Sequence, residues 1–221
     1  MSDILQQIAT CIERGKVNAK SPYPPDMRGQ DGADELVRKA LDDGIAAGEI
    51  LDKACIPGMG AIGKKFSENK VFVPDVLMAA KAMQAAMTHL RPFFDTGEAV
   101  HKGTFVVGTV QGDLHDIGKN LVAMVVEGGG YKVVDLGVDV SPEKFTDAAK
   151  ANPGCAVGLS ALLTTTMVNM EKTIKMLKES APGTRVIVGG APLTQEFADK
   201  IGADGYSPDP QGALDFLAVA K

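Results

Sequence analysis

Apolar residues recur at helical spacing through the first part of the chain, and residues 1–92 read as helical throughout. Ile4, Leu5, Ile8 and Ile12 form one stripe, and Leu36, Val37, Ala40, Leu41 and Ile45 a second. Ile50, Leu51 and Ala54 begin a third, which Pro57 and Gly58 bend before it resumes through Met59, Ile62 and Phe66. A fourth starts after Pro74 and presents Leu77, Ala80, Met83, Met87 and Leu90. Four amphipathic helices with short links predict a small antiparallel bundle. The Pro- and Gly-rich stretch Ser21–Gly32 interrupts the pattern and is expected as an extended connector.

The period changes after residue 94. Residues 95–103 (DTGEAVHKG) are polar and contain glycine, so they are expected as a linker between a helical domain, 1–94, and a second domain, 104–221. In the second part short apolar runs alternate with helical stretches. The runs lie at 104–110, 132–136, 155–160, 185–189 and briefly at 205–206. The helical stretches lie near 117–127, 142–150, 166–179, 194–201 and 211–219. Ser141-Pro142-Glu143 supplies a cap, a first-turn proline and an acid at a helix start, and Gly128-Gly129-Gly130 is a stop. Five strand–helix units predict an α/β fold, an open parallel sheet of flavodoxin-like order 2-1-3-4-5. In that order ligands bind beyond the carboxyl ends of the first and third strands.

Composition narrows the function classes. The net charge of −5 argues against nucleic acid as a partner, since phosphate binding needs clustered Lys and Arg. No apolar run is long enough to span a membrane, and the first residues do not resemble a signal peptide, so a cytoplasmic location is expected. Cys11, Cys55 and Cys155 are odd in number and far apart, which reads as buried thiols and not as a disulfide frame or zinc site.

The pointed chemistry follows the first predicted strand: Gln111-Gly112-Asp113-Leu114-His115-Asp116-Ile117-Gly118. An imidazole is a good transition-metal ligand, and its second nitrogen then needs an acceptor, which Asp113 can supply if the loop curls. Gly112 and Gly118 would let a flat, bulky ligand approach the backbone. A lone loop histidine is most often just a surface or hydrogen-bonding residue. One histidine among three in the chain cannot hold a bare metal ion, but a macrocycle that brings four nitrogens of its own needs one axial ligand.

Asp113-x-His115-x-x-Gly118 resembles the DxHxxG signature of the B12-binding domain of methionine synthase and corrinoid methyl-carrier proteins. Ser160-Ala161-Leu162 is similar to that family's SxL element, with Thr164 and Thr166 beyond it, and Gly189-Gly190 to its GG element. The resemblance covers residues 33–215, with no counterpart for Lys16–Asp31. It implies that cobalamin, methylcobalamin in the loaded state, is bound base-off with His115 on the cobalt and Asp113 and Thr166 completing a ligand triad. Gly112, Leu114, Asp116 and Gly118 would lie in the binding loop. Ser160, Leu162 and Thr164 would adjoin the displaced nucleotide tail, and Gly189 and Gly190 would leave room for it. The helical part resembles the family's cap domain, which implies that Phe66 and Val73 cover the methyl-bearing face; on spacing alone both read as bundle core.

The resemblance implies a methyl carrier rather than a complete catalyst. Its partners would be a substrate-specific methyltransferase, a second methyltransferase to folate or a thiol, and a reductive activator. The donor class stays open among methanol, methylamines, betaine and aromatic methyl ethers. A cobalamin-dependent sensor is the alternative, but no helix-turn-helix module or basic face is visible. A small subunit of an adenosylcobalamin mutase fits the helical cap less well.

Overall fold

The computed structural model describes residues 3–97 and 100–219. The backbone divides into two compact units. The first reaches His101 and includes Gly128–Gly130, and the second begins at Lys102. Of the expected linker 95–103, residues 98 and 99 lie outside the described residues.

The helical unit contains α1 (Asp3–Glu13), α2 (Ala33–Asp42), α3 (Ala47–Ile50), α4 (Ile56–Ser67) and α5 (Val73–Asp95). A π-helical turn, Leu51–Cys55, joins α3 to α4, so the third predicted helix is one continuous run with a wide turn in it. The wide turn lies directly before Pro57, whose ring and missing N–H disfavour a regular α-turn. Leu5, Ile8, Ile12, Val37, Ile50, Met59, Met83 and Leu90 are buried and form the apolar interior. On α5, Ala80, Met83, Met87 and Leu90 of the expected stripe are buried, and only Leu77 is half-buried, with Val76 buried beside it.

The stretch expected as an extended connector is irregular and mostly exposed, with a short 3₁₀ turn, Pro25–Met27, and is tied to the helices at a few points. Lys16 is fully buried and donates to the Ser21 carbonyl at 3.0 Å. Arg14 grips both carboxylate oxygens of Asp26, and the Tyr23 hydroxyl donates to Asp75 Oδ1 at 2.9 Å. Proline and glycine signal where a chain leaves regular structure, not whether polar groups downstream will hold it against a neighbour.

The α/β unit is built on β1 (Thr104–Thr109), β2 (Lys132–Asp135), β3 (Ala156–Ser160), β4 (Arg185–Gly189) and β5 (Gly205–Ser207). All are parallel, in the expected order β2-β1-β3-β4-β5. The helices are α6 (Ile117–Gly128), α7 (Pro142–Ala151), α8 (Val168–Ser180), α9 (Gln195–Lys200) and α10 (Pro210–Ala218). Ser141 caps α7 through its hydroxyl, as its place before Pro142 predicts.

Alternation along the strands sorts the side chains to two faces. Val106, Val157, Leu159, Val186 and Val188 pack with Phe145, Met170, Ile174 and Leu177 of α7 and α8. Phe105, Val107, Ala156 and Ile187 pack with Val126 of α6 and Ala213 of α10. A sheet covered on both faces needs near-continuous apolar strands, and that is why these runs read as short apolar blocks. The three cysteines are buried and free. Among the described residues no helix is long and apolar enough to cross a membrane.

Candidate functional site

Strand register aligns the carboxyl edge of the sheet. Thr109 pairs with Ser160, Ser160 with Gly189, and Gly189 with Ser207, which makes one row across four strands. The strand order reverses between β1 and β3, and the helices that follow them, α6 and α8, pack on opposite faces of the sheet.

Asp113 lies in the loop after β1 and has no solvent exposure. Five donors converge on its carboxylate. Oδ1 accepts the His115 amide at 3.1 Å and faces His115 Nδ1 at 2.8 Å. Oδ2 accepts the amides of Leu162 and Leu163 at 2.8 and 3.2 Å and the Thr166 hydroxyl at 2.7 Å. Burial raises the pKa of this carboxyl, but the Leu162 and His115 amides, the Thr166 hydroxyl and the His115 ring outweigh it. The group is held well below the usual carboxylate range. An ionised carboxylate only accepts, so the proton at its contact with the ring belongs to His115 Nδ1. In the neutral ring this leaves the lone pair on Nε2. The His115 side chain is half exposed.

Other candidate residues fall into place around this centre. Leu114 and Ile117 are both 71% exposed, and Leu162 and Leu163 are exposed beside them, an apolar rim at the strand ends. Gly112 takes a left-handed φ of 84°, which suits glycine. Asp116 accepts from Asn120 on the first turn of α6, and Gly118 is exposed on that turn. Thr164 is exposed, and Ser160 and Gly189 are half-buried at the edge. Gly190 has φ 141°, and a β-carbon there would collide with the Ala161 carbonyl oxygen. Phe66 and Val73 belong to the other unit, at the end of α4 and the start of α5, and both are half-buried.

A protein-family model described as "B12 binding domain" matches residues 103–215, and a second of the same description matches residues 29–91. The chain belongs to the B12-binding corrinoid proteins.

Trimethylamine corrinoid protein 1 of Methanosarcina acetivorans is 43% identical over 193 residues, 86% of this chain and 88% of that protein. Dimethylamine corrinoid protein 1 of the same organism is 42% identical over 195 residues, covering 87% and 90%. Among solved structures, the methanol:cobalamin methyltransferase complex of Methanosarcina barkeri aligns with a TM-score of 0.81 at 28% identity, covering 100% of this chain and 81% of that one. A cobalamin-binding protein of Desulfitobacterium hafniense aligns with a TM-score of 0.74 at 30% identity, covering 96% of both.

The residues of this corrinoid protein suit a cobalamin. Among the described residues no three His, Cys, Asp or Glu side chains are placed to hold a bare metal ion. One oriented imidazole, an apolar rim and a glycine cradle do suit a large macrocycle with a metal of its own. Four further contributors were missed from the sequence. The Thr109 hydroxyl donates to the His115 carbonyl at 2.8 Å, and the Asn169 amide to the Gln111 carbonyl at 2.7 Å. Asp139 Oδ1 accepts the Gly112 amide at 2.7 Å. Ser207 closes the row at β5, its hydroxyl on the Asp209 carbonyl. For Asp139 a signal existed: the predicted order puts the second strand beside the first, so the loop after it had to border the histidine loop.

Proposed function

We propose that this corrinoid protein binds cobalamin base-off with His115 Nε2 as the lower cobalt ligand. In that state it carries a methyl group from a substrate-specific methyltransferase to a second methyltransferase acting on folate or a thiol. When bound, the corrinoid supplies a cobalt that accepts and releases the methyl group. The chain supplies everything around that centre. Asp113 keeps the His115 proton on Nδ1 and fixes the ring plane, and Thr166 with the Leu162 and Leu163 amides fixes Asp113. Ser160 and Thr164 stand at the strand edge where the nucleotide tail would enter. Gly189 and Gly190 keep that entry free of β-carbons.

The observation that carries this reading is the 2.8 Å contact of His115 Nδ1 with a carboxylate whose other oxygen is already taken by three donors. Such a carboxylate cannot turn away from the ring, so it is an orienting group and not a chance neighbour. The trimethylamine and dimethylamine corrinoid proteins among its relatives support methylamines as the first donor class to try, with methanol next. The likeness to the methanol:cobalamin methyltransferase complex supports a substrate methyltransferase as partner. A reductive activator is the third expected partner, and three buried free thiols support a reducing, cytoplasmic setting. For the helical unit we assign Phe66 and Val73 to sheltering the methyl group.

The deciding experiment loads the full chain with methylcobalamin and compares its visible spectrum with that of His115→Ala. Wild type should show the histidine-ligated spectrum, and the variant the base-off spectrum without a protein ligand. Identical spectra would remove His115 from the cobalt.

A further inference from the structure

The loop after β2 does more than lead into α7. Its backbone continues the pairing with β1 beyond the end of β2. The Leu136 amide donates to the Val107 carbonyl, the Thr109 amide to the Gly137 carbonyl, and the Val140 amide to the Thr109 carbonyl, at 2.8, 3.0 and 3.0 Å. Val110 and Val140 then form a parallel bridge. At the tip stands Asp139, one of two non-glycine residues with positive φ among those described, at 53°. Aspartate tolerates this region better than most residues, but glycine or asparagine would serve the turn as well or better. The turn alone therefore does not account for a side-chain acceptor at this position.

Its contacts do. Asp139 Oδ1 accepts the Gly112 amide at 2.7 Å, and the Asp139 amide donates to the Asp113 carbonyl at 3.0 Å. One residue thus clamps the backbone on both sides of the Gly112–Asp113 peptide. The left-handed turn makes this possible, because it aims the amide and the side chain of Asp139 at the same neighbouring loop. The Gly112–Asp113 peptide in turn sets where the Asp113 carboxylate lies. Other groups hold that carboxylate from the β3 side, and Asn169 and Thr109 hold the Gln111 and His115 carbonyls. Asp139 is the only one of these side chains that reaches the loop from the β2 side.

We propose that Asp139 is a positioning residue for His115, clamping the Gly112–Asp113 backbone so that the imidazole stands ready for a cobalt ligand's place. This rests on the reading of His115 given above. Without the clamp the histidine loop keeps its motif and loses its register against β2, and the ring is then presented over a spread of positions. A ligand bond demands one position.

Two substitutions separate the side-chain acceptor from the turn. Asp139→Asn keeps both the acceptor and the tolerance for positive φ. Asp139→Gly keeps the turn and removes the acceptor, so it should fold. In the cofactor-free full chain, amide exchange at Gly112 should quicken severalfold in Asp139→Gly and stay near wild type in Asp139→Asn. At saturating methylcobalamin, the histidine-ligated fraction read from the visible spectrum should fall in Asp139→Gly and recover in Asp139→Asn. A merely structural turn residue would move neither the ligated fraction nor the contrast between the two variants. An unchanged ligated fraction in Asp139→Gly overturns the proposal whatever the exchange rate does. So does an Asp139→Asn variant that behaves like Asp139→Gly. His115→Ala tells the two failures apart. If it changes the spectrum and Asp139→Gly does not, only the clamp is wrong; if neither does, the ligation reading fails and takes the clamp with it.

Discussion

The histidine loop and the edge of the helical unit near Phe66–Val73 are held by different forces. Asp113 is buried with five donors on two oxygens, and the loop around it is tied at Gln111, Gly112, Asp113 and His115. Near the start of α5, by contrast, Phe72 is 73% exposed and Phe66 and Val73 are half-buried; their apolar side chains carry no hydrogen-bonding group, although Asp75 caps the helix through the Phe72 amide. Hydrogen bonds to a charge are directional and fix orientation, whereas burial is not directional and tolerates changes of shape. The lesson is that the proposed metal ligand has to be aimed, while the proposed shelter has only to fill space.

The largest effect should come from the aimed side. Asp113→Asn keeps the shape, but its NH₂ group faces donors where an oxygen accepted before. We expect a loss of about 3 kcal/mol, read as a lower urea midpoint of the cofactor-free chain. The pH dependence follows from the depressed pKa of Asp113. In the unfolded chain this carboxyl titrates near its ordinary value of about 4. Its contribution is complete above that pH and is lost as pH falls toward the lower folded value. The gap between wild type and Asp113→Asn should therefore be flat from pH 7 to about 5 and narrow below about 4. A gap that stays constant down to about pH 3 would mean that the Asp113 charge is not what holds the loop.

An intermediate effect is expected at Thr166, whose hydroxyl supplies one donor at 2.7 Å. Thr166→Val removes the hydroxyl and keeps the volume, and should cost about 1–2 kcal/mol, while Thr166→Ser should recover most of it. Equal losses in the two variants would show that volume, not direction, matters at this position.

The smallest effect belongs to the proposed shelter side. Phe66→Leu keeps an apolar side chain on a half-buried position and should cost less than about 1 kcal/mol. Phe66→Ala should leave cobalamin affinity intact and speed photolysis of the methylcobalamin-loaded chain under fixed light. If Phe66→Leu proves as costly as Asp113→Asn, the two regions do not differ in the way described.

Much of this was legible in the chain itself. The change of period near residue 94 separated helices from strand–helix units because buried strands and amphipathic helices impose different spacings. Ser141-Pro142 marked the start of α7, and Gly128-Gly129-Gly130 the end of α6, because caps and stops are local chemistry. Asp113, His115 and Gly118 stood out because their relation is also local, two and three residues apart. What ties the connector at 21–32 down was not legible, since the Tyr23–Asp75 bond depends on a helix some fifty residues downstream.

The sequence by itself determined the α/β class and the histidine loop, because periodicity, caps and short motifs act over a few residues. Only the tertiary structure decided what surrounds the histidine. The Leu162 amide and Thr166 hydroxyl lie 49 and 53 residues from Asp113, and Asp139 lies 27 from Gly112. They meet because parallel register places the ends of β2, β1 and β3 side by side, and a hydrogen bond requires its two partners within about 3 Å of each other, however far apart they lie along the chain.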